Sequence, residues 1–231
     1  MIALLSNDDG IQAEGLAALE RAMKPFFEEI WVVAPASEMS QIGHRVTTDK
    51  PLRFEEKGDR RYAVHGTPAD CTRVALNYLM PRKPDWVFAG INHGGNLGRH
   101  DFVISGTVAA VREAAFAGIN GMAMSQYFRF GVEHSWEKAA EWAASVFERV
   151  KDNRLAAGEF WSVNLPHLDP GSAEPEQVRC PQEISPLQVV YREAGDGVLE
   201  YAGDYHERPR ESGSDVSVCF GGDIAVSKAM I

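Results

Sequence analysis

Residues 1–35 read MIALLSNDDGIQAEGLAALERAMKPFFEEIWVVAP, and their pattern decides the fold class. Residues 2–6 form a short apolar run followed by turn residues, which is typical of a buried parallel strand. Apolar residues then recur at helical spacing between positions 16 and 26, and a second apolar run covers 30–34. The order strand, helix, strand predicts a parallel β-α-β unit.

The same alternation continues to about residue 166. Further apolar runs predict strands near 85–91, 119–125 and 160–165, with two weaker strands near 50–56 and 61–65. Helical periodicity predicts helices from Pro68, over 107–116 and over 136–150. Residues 92–105 are predicted to be a glycine-rich loop. Alternating strands and helices predict a doubly wound α/β sheet, in which sites lie at the carboxyl ends of the strands.

The pattern weakens after residue 166. Residues 168–215 carry proline, glycine and charge with short apolar pieces, which predicts hairpins or an arm that serves oligomerisation. Residues 214–231 are predicted to return as a short helix and a strand. A chain of 231 residues suits one domain. We therefore expect a single domain over 1–231, with its core at about 1–166.

The net charge of −10 comes from 23 lysines and arginines against 33 acidic residues. An acidic surface repels a phosphate backbone, so long nucleic acids are not expected as partners. A small phosphorylated substrate is still compatible, because a bound cation can invert the local field. The 45% content of hydrophobic residues argues against a disordered chain.

The three cysteines are far apart and form no metal-binding spacing, which argues against a zinc site or a disulfide framework. No apolar stretch reaches the roughly 20 residues that a membrane span needs. The first ten residues lack a basic segment and run directly into acidic residues, unlike a signal peptide. These features predict a reduced, cytoplasmic compartment and no membrane partner.

Asn7-Asp8-Asp9-Gly10 follows the first predicted strand. Two adjacent carboxylates repel each other, and a divalent cation would relieve the repulsion because hard cations prefer carboxylate oxygens. The same residue types are also common in solvated turns. The position at the first β-α junction favours a site over a turn.

Gly90-Ile91-Asn92-His93-Gly94-Gly95-Asn96-Leu97-Gly98 follows the third buried strand and is the strongest candidate motif. Glycines permit close backbone approach to a ligand, and an asparagine side chain can bind a cation or a phosphate. The segment then runs to Ser105-Gly106-Thr107 at a helix start, where backbone N–H groups and the helix dipole favour an anion. Ser105 or Thr107 as an ordinary N-cap does not compete with this interpretation, since a cap position is also where a phosphate would sit.

Two weaker segments complete the candidate set. Residues 37–44, SEMSQIGH, could reach the same sheet edge, but composition alone favours a flexible loop. In residues 66–70, GTPAD, we favour an N-cap at Thr67 with Pro68 in the first helical turn. The histidines form no metal-binding motif, and His44 and His93 stay open as proton-transfer or phosphate contacts.

Five motifs in this order resemble the SurE family of 5′/3′-nucleotidases, also called survival protein E. They are NDDG at 7–10, the Ser40 loop with GH at 43–44, GTPADC at 66–71, GINHGGN at 90–96 and SGTVAA at 105–110. The resemblance is strong over residues 1–125 and weaker in Asn164-Leu165-Pro166 and in the terminal GSDVSVCFGGDIAVS stretch. It implies a three-layer α/β/α, Rossmann-like fold with a C-terminal extension that exchanges between subunits, and a homodimer or homotetramer.

The resemblance also implies a metal-dependent phosphomonoesterase that acts on nucleoside monophosphates. Asp8, Asp9, Ser40 and Asn92 would then hold one divalent cation, Mg²⁺ or Mn²⁺. Asn96, Ser105, Gly106 and Thr107 would hold the phosphate.

On this hypothesis the metal orients water and lowers its pKa, and the helix beginning near Ser105 stabilises the phosphoryl oxygens. Asp8 or Asp9 would act as the base, while a carboxylate nucleophile is the lesser alternative. Two other functions stay open from the residues alone: a transferase that uses a nucleotide donor, and a non-catalytic sensor of nucleotide or metal.

Overall fold

A computed structural model describes all of residues 1–231 and contains eleven strands and six helices. The strands are β1 (Ile2–Ser6), β2 (Glu29–Pro35), β3 (Phe54–Gly58), β4 (Arg61–Val64), β5 (Trp86–His93), β6 (Asn120–Gln126), β7 (Glu159–Leu165), β8 (Gln177–Arg179), β9 (Tyr191–Gly195), β10 (Val198–Tyr201) and β11 (Ile224–Met230). The helices are α1 (Glu14–Met23), α2 (Pro68–Val74, continued by the π-helical turn Ala75–Leu79), α3 (Gly98–Ile104), α4 (Gly106–Phe116), α5 (Trp136–Val150) and α6 (Asp215–Phe220).

Nine strands form one sheet in the order β3-β4-β2-β1-β5-β6-β7-β11-β8. The six strands from β4 to β7 run parallel, while β3 and β11 are antiparallel to their inner neighbours. β1 lies inside the sheet between β2 and β5, so that Leu4 pairs with Trp31 on one side and Val87 on the other. Burial on both faces explains the apolar run of β1, all five residues of which are buried.

Helices cover both faces of the sheet. Leu5 packs into a core shared with α1 and α5, in which Phe27, Phe88 and Phe147 place their ring centroids 5.0–5.6 Å apart. Leu4, one residue earlier, faces the opposite core with side chains of α2 and α4. This arrangement confirms the predicted three-layer α/β/α fold.

One prediction along the chain is wrong in part. Residues 92–105 are not all loop, because 98–104 form α3. Only Gly98 and Phe102 of α3 are buried, so its sequence shows no apolar stripe that would reveal a helix. Two other differences are small: β3 begins at Phe54 rather than near residue 50, and α1 ends at Met23, before Pro25.

Part of the C-terminal region adds strands to the sheet, and another part forms a separate hairpin. β11 pairs antiparallel with β7, and β8 pairs parallel with β11 at the edge of the sheet. β9 and β10 form a separate antiparallel hairpin, all of whose residues are exposed. The returning helix and strand of the prediction are α6 and β11. None of the six helices combines the length and the apolar composition that crossing a membrane requires.

Candidate functional site

The candidate site lies where β1 and β5 end and α4 begins. A turn follows β1, in which the Asn7 side chain donates to the Gly10 carbonyl (2.8 Å) and accepts from the Gly10 N–H (3.2 Å). Asn7 thus shapes the turn, and its amide is occupied in doing so. The turn presents the next two residues, Asp8 and Asp9, at the carboxyl edge of the sheet, where the β-α arrangement places sites.

Asp8 is a buried carboxylate, only 4% exposed. Burial raises its pKa to about 6, and the negative charge of Asp9 adds to the rise, while hydrogen bonds from Thr107 act in the other direction. The Thr107 hydroxyl donates to Asp8 Oδ1. The first turn of α4 therefore orients this acid.

Asp9 is more exposed than Asp8 and faces β5. Its Oδ2 accepts the backbone N–H of His93 at 3.2 Å. Burial raises the pKa of Asp9, and the nearby charge of Glu38 raises it further. No lysine or arginine is among the groups that shift the pKa of either aspartate, although the charge of His93 lowers the pKa of Asp9.

The start of α4 approaches Asp8 closely. Ser105 is the N-cap, and its Oγ accepts the N–H of Val108 at 3.1 Å. A Cβ placed on Gly106 would lie 2.9 Å from Asp8 Cβ and 3.0 Å from Asp8 Oδ2. Only glycine permits this approach. The N-cap alternative for Ser105 is confirmed, and a cap position is compatible with an anion at the same helix terminus.

Asn92 is the penultimate residue of β5 and precedes His93, which contacts Asp9. Its Nδ2 donates to the Gly94 carbonyl at 2.6 Å, which leaves Oδ1 as the side-chain atom available to a cation. The strand reaches this point through Gly90, which has φ +127° and a cis peptide bond to Ile91. A Cβ on Gly90 would lie 2.1 Å from the Met124 carbonyl oxygen of β6, so a side chain does not fit there.

Asn96 is buried and held from two sides. Its Nδ2 donates to Ser125 Oγ at 2.7 Å, and its backbone N–H donates to Asn164 Oδ1 at 2.8 Å. Sequence reasoning assigned no role to Ser125 or Asn164. The sequence did contain a signal for both residues. Each is a polar residue near the carboxyl end of a mostly apolar strand, at the edge of the sheet where the site lies.

Ser40 is the predicted ligand that the structure places least directly at the site. Its side chain is exposed and donates to Glu38 at 2.7 Å. The neighbouring Met39 N–H donates to the Asp8 carbonyl at 2.7 Å, so the loop does run past the aspartates. No group of three or more His, Cys, Asp or Glu side chains is arranged to hold a metal, and the predicted ligand set therefore depends on the oxygens of Asn92 and Ser40.

His44 and Thr67, which belong to the two weaker candidate segments, both have structural partners. His44 contacts Glu113 through Nε2 at 2.8 Å, and Arg112 donates to its Nδ1 at 3.2 Å. Both ring nitrogens are thus engaged by side chains of α4. The predicted N-cap at Thr67 is confirmed as a reciprocal capping box with Asp70.

A cavity of about 400 Å³ opens beside Asp9 and was missed by sequence reasoning. Its lining includes His93, His134 and Trp136. His134 lies in the loop before α5 and Trp136 is the first residue of that helix, and nothing in their spacing indicates that they meet the end of β5. Burial lowers the pKa of His134, and neighbouring histidines lower it further, which favours a neutral ring.

The donor set fits a hard divalent cation. Two carboxylates repel each other in a partly buried place, Asn92 offers a neutral oxygen, and no lysine or arginine compensates the charge. Oxygen ligands of this kind suit Mg²⁺ or Mn²⁺. The adjoining helix terminus suits an anion.

Comparisons with known proteins identify the family of this chain. The family model "Survival protein SurE" matches residues 3–185. A protein of Nostoc sp. is 46% identical over 231 residues, with 100% of both chains covered. "5'-nucleotidase SurE" of Rhodospirillum rubrum is 49% identical over 166 residues, which cover 71% of this chain and 63% of that protein.

The fold is also similar to that of a solved structure. The SurE protein from Aquifex aeolicus has a TM-score of 0.87 and 29% sequence identity, covering 100% of this chain and 93% of the other. Since the family model covers most of the chain and the relatives exceed 30% identity over its length, this chain belongs to the SurE family.

Proposed function

We propose that this chain is a metal-dependent 5′-nucleotidase that hydrolyses nucleoside 5′-monophosphates, with 3′-monophosphates as further substrates. The observation that carries the proposal is the pair Asp8 and Asp9, without a lysine or arginine partner, against the N-terminus of α4. Relatives from Rhodospirillum rubrum and Allorhizobium ampelinum, the latter 39% identical over 201 residues, bear the name 5'-nucleotidase SurE.

Asp8, Asp9, Asn92 and Ser40 would hold one Mg²⁺ or Mn²⁺. The cation, when bound, supplies a positive charge that polarises the phosphoryl group and lowers the pKa of water. Thr107 holds Asp8 in place through its hydroxyl. Ser40 would have to turn away from Glu38 to contribute its oxygen.

The phosphate would lie at the first turn of α4, against residues 105–107. Backbone N–H groups there are directed out of the helix and meet the phosphoryl oxygens, where developing charge is stabilised without reorganisation. Asn96 would join them, because Ser125 and Asn164 fix its side chain and backbone at the same edge.

In the proposed reaction a water oxygen bonds to phosphorus in line with the ester oxygen, and the bond between phosphorus and that ester oxygen breaks. One proton of the water passes to Asp8 or Asp9, which gives it to the departing ester oxygen, so that the nucleoside leaves as an alcohol and the carboxylate is restored. A direct attack by a carboxylate would instead form an aspartyl-phosphate. Acid quenching during turnover of a ³²P-labelled substrate separates the routes, because only the second leaves ³²P covalently bound to the protein.

The test is phosphate release from a panel of nucleoside monophosphates, with EDTA and with added Mg²⁺ or Mn²⁺. We expect release only with metal. Asp9→Asn should lower the rate at limiting metal by about 100-fold or more, since even outer contacts to metal ligands are worth about 10–100-fold. Asp59→Asn, with a side chain 89% exposed, is the control and should keep the wild-type rate.

No release from any substrate with any metal would contradict the proposal. Turnover that requires an added acceptor would indicate a transferase, and saturable binding of AMP without turnover would indicate a sensor. A wild-type rate for Asp9→Asn at limiting metal would exclude Asp9 as a ligand.

We also propose a homodimer or homotetramer, with the hairpin β9–β10 as part of the contact. Tyr191, Leu199 and Tyr201 are 55–63% exposed on this hairpin. Aromatic and aliphatic side chains grouped on a protruding hairpin are typical of a surface that another subunit covers.

A further inference from the structure

The cavity beside Asp9, hereafter the Asp9 cavity, has no role in the proposed transfer of the phosphoryl group to water. It lies between the N-terminal ends of α1 and α5, with Ala13 and Glu14 on one side and His134 and Trp136 on the other. Its volume of about 400 Å³ is within the range of small-molecule sites. It is therefore large enough for part of a substrate.

Flat rings form much of its wall. The centroids of His134 and Trp136 are 4.2 Å apart at an interplanar angle of 67°, and His93 lies 5.8 Å from His134 and 6.2 Å from Trp136. His93 also packs on Phe128, with centroids 4.6 Å apart. Such a group of rings offers faces to a planar ligand.

Trp136 is held in position before any ligand arrives. Its Nε1 donates to Glu14 Oε2 at 3.0 Å. Its ring lies so close to α1 that a Cβ on Gly15 would be 2.8 Å from it. A fixed aromatic ring binds a planar group with little further loss of side-chain entropy.

The Asp9 cavity is continuous with the reaction site. Asp9 is a wall of both, and His93 directly follows the proposed ligand Asn92 and donates its backbone N–H to Asp9. A phosphate monoester would place its phosphate at residues 105–107, next to the aspartates. The group esterified to that phosphate can therefore extend into the cavity. For a nucleotide that group ends in a planar, aromatic base.

We infer that the Asp9 cavity receives the base of a nucleoside monophosphate, stacked against Trp136 and His93, and makes the enzyme select purine nucleotides over phosphomonoesters without a base. Stacking on aromatic side chains tolerates every base and increases with the size of the ring system. The inference rests on the proposed function.

The test compares kcat/KM for AMP, UMP and ribose 5-phosphate in matched variants at saturating metal. Trp136→Ala should lower kcat/KM for AMP by about tenfold, mainly through KM, since stacking on one ring is worth roughly 5- to 150-fold. For ribose 5-phosphate, which has no base, kcat/KM should change by less than about twofold. Trp136→Phe keeps a ring and should restore most of the loss.

The control is Trp142→Ala, a tryptophan on the same helix whose Nε1 donates to Glu174 outside the cavity. It should leave the preference for AMP over ribose 5-phosphate unchanged. Ala13→Phe tests the cavity without removing any packing, because it adds a ring to the lining. It should lower kcat/KM for AMP and leave kcat/KM for ribose 5-phosphate unchanged. This variant decides the question if Trp136→Ala does not fold.

Equal losses for AMP and ribose 5-phosphate, or no loss for either, would overturn the inference. Failure of the proposed function gives a different result, because the wild-type protein would then release no phosphate from any substrate. In that event calorimetric titration with adenosine is decisive: binding that Trp136→Ala weakens supports the cavity as a base site, and absence of binding to wild type overturns it.

Discussion

Asp8 must bear a negative charge to bind a cation, yet the fold buries its carboxylate. Its pKa is about 6 in the folded protein against an ordinary value of 3.8, because burial disfavours the charged form. The fold therefore holds this proton more tightly than the unfolded chain does. Its contribution to stability is present below about pH 4 and is lost as the pH rises through 6.

At pH 7.5 without metal, ionised Asp8 lowers the free energy of unfolding by about 3 kcal/mol. Asp8→Asn removes the charge and keeps one acceptor for Thr107, so we expect Tm in EDTA to rise by about 6–12 °C at pH 7.5. The gain should shrink towards zero at pH 4. Thermal unfolding at both pH values measures it, with Asp59→Asn as an exposed control; an equal shift at both pH values would show that the buried charge is not the cause.

At the scale of elements, α4 combines a cap, a close contact and a helix dipole at one end. Ser105 caps its N-terminus, and Gly106 lets the first turn approach Asp8 and Pro68. Gly118 follows its other end with φ +71°. The two glycines thus have different roles in one helix. Gly106 is needed because a side chain would not fit beside Asp8, and Gly118 because the backbone there has a positive φ.

Gly106→Ala should impair activity as well as stability. The added Cβ would press on Asp8 at 2.9 Å and displace it from Thr107, so we expect kcat/KM to fall by more than about tenfold. Gly118→Ala meets no atom within 4 Å and should cost only about 1 kcal/mol of backbone strain, with kcat/KM unchanged. Steady-state kinetics and denaturation of both variants separate the two effects. An equal loss of kcat/KM in the two variants would contradict the explanation that a Cβ at position 106 displaces Asp8.

At the scale of the whole molecule, the C-terminal region is joined to the segment that bears Asn92 and Asn96. Arg208 is 6% exposed and donates to Asp101 of α3 at 2.6 Å, and the Tyr205 hydroxyl donates to the same carboxylate at 3.1 Å. The Arg208 guanidinium also lies 4.8 Å from the Tyr205 ring centroid. This buried pair couples residues after the hairpin to the site edge of the sheet.

Arg208→Met would leave the largely buried Asp101 without its cationic partner, and the free energy of unfolding should fall by about 3 kcal/mol. Arg192→Met breaks the exposed pair with Glu200 on the hairpin and should change stability little. Urea denaturation measures both. Similar effects of the two variants would show that burial of the Arg208 pair is not what matters.

The hairpin β9–β10 should determine the oligomeric state. Replacing Tyr191, Leu199 and Tyr201 together by serine removes the exposed apolar side chains that we assign to a subunit contact. We expect light scattering after gel filtration to show a dimer or tetramer for wild type and a smaller species for the variant. Phe130→Ser, at a side chain that is 96% exposed elsewhere, is the control. An unchanged mass in the triple variant would exclude the hairpin as the contact.

Much of the fold was predictable because burial leaves a local trace. β1, β7, α4 and α5 are found within about one residue of their predicted bounds, since each buries an apolar run or stripe. α3 was missed because it buries only two of its seven residues. A helix held by polar contacts at its ends has no periodic signal.

The amino-acid sequence alone determined the β-α alternation and which polar residues follow the strands, since both depend on neighbours in the chain. Only the tertiary structure decided which of these side chains meet. Thr107 reaches Asp8 across 99 positions, and Asn164 reaches Asn96 across 68. Those contacts, and the cavity that Trp136 forms beside Asp9, depend on the order of strands in the sheet and on long-range packing, which no local pattern of residues records.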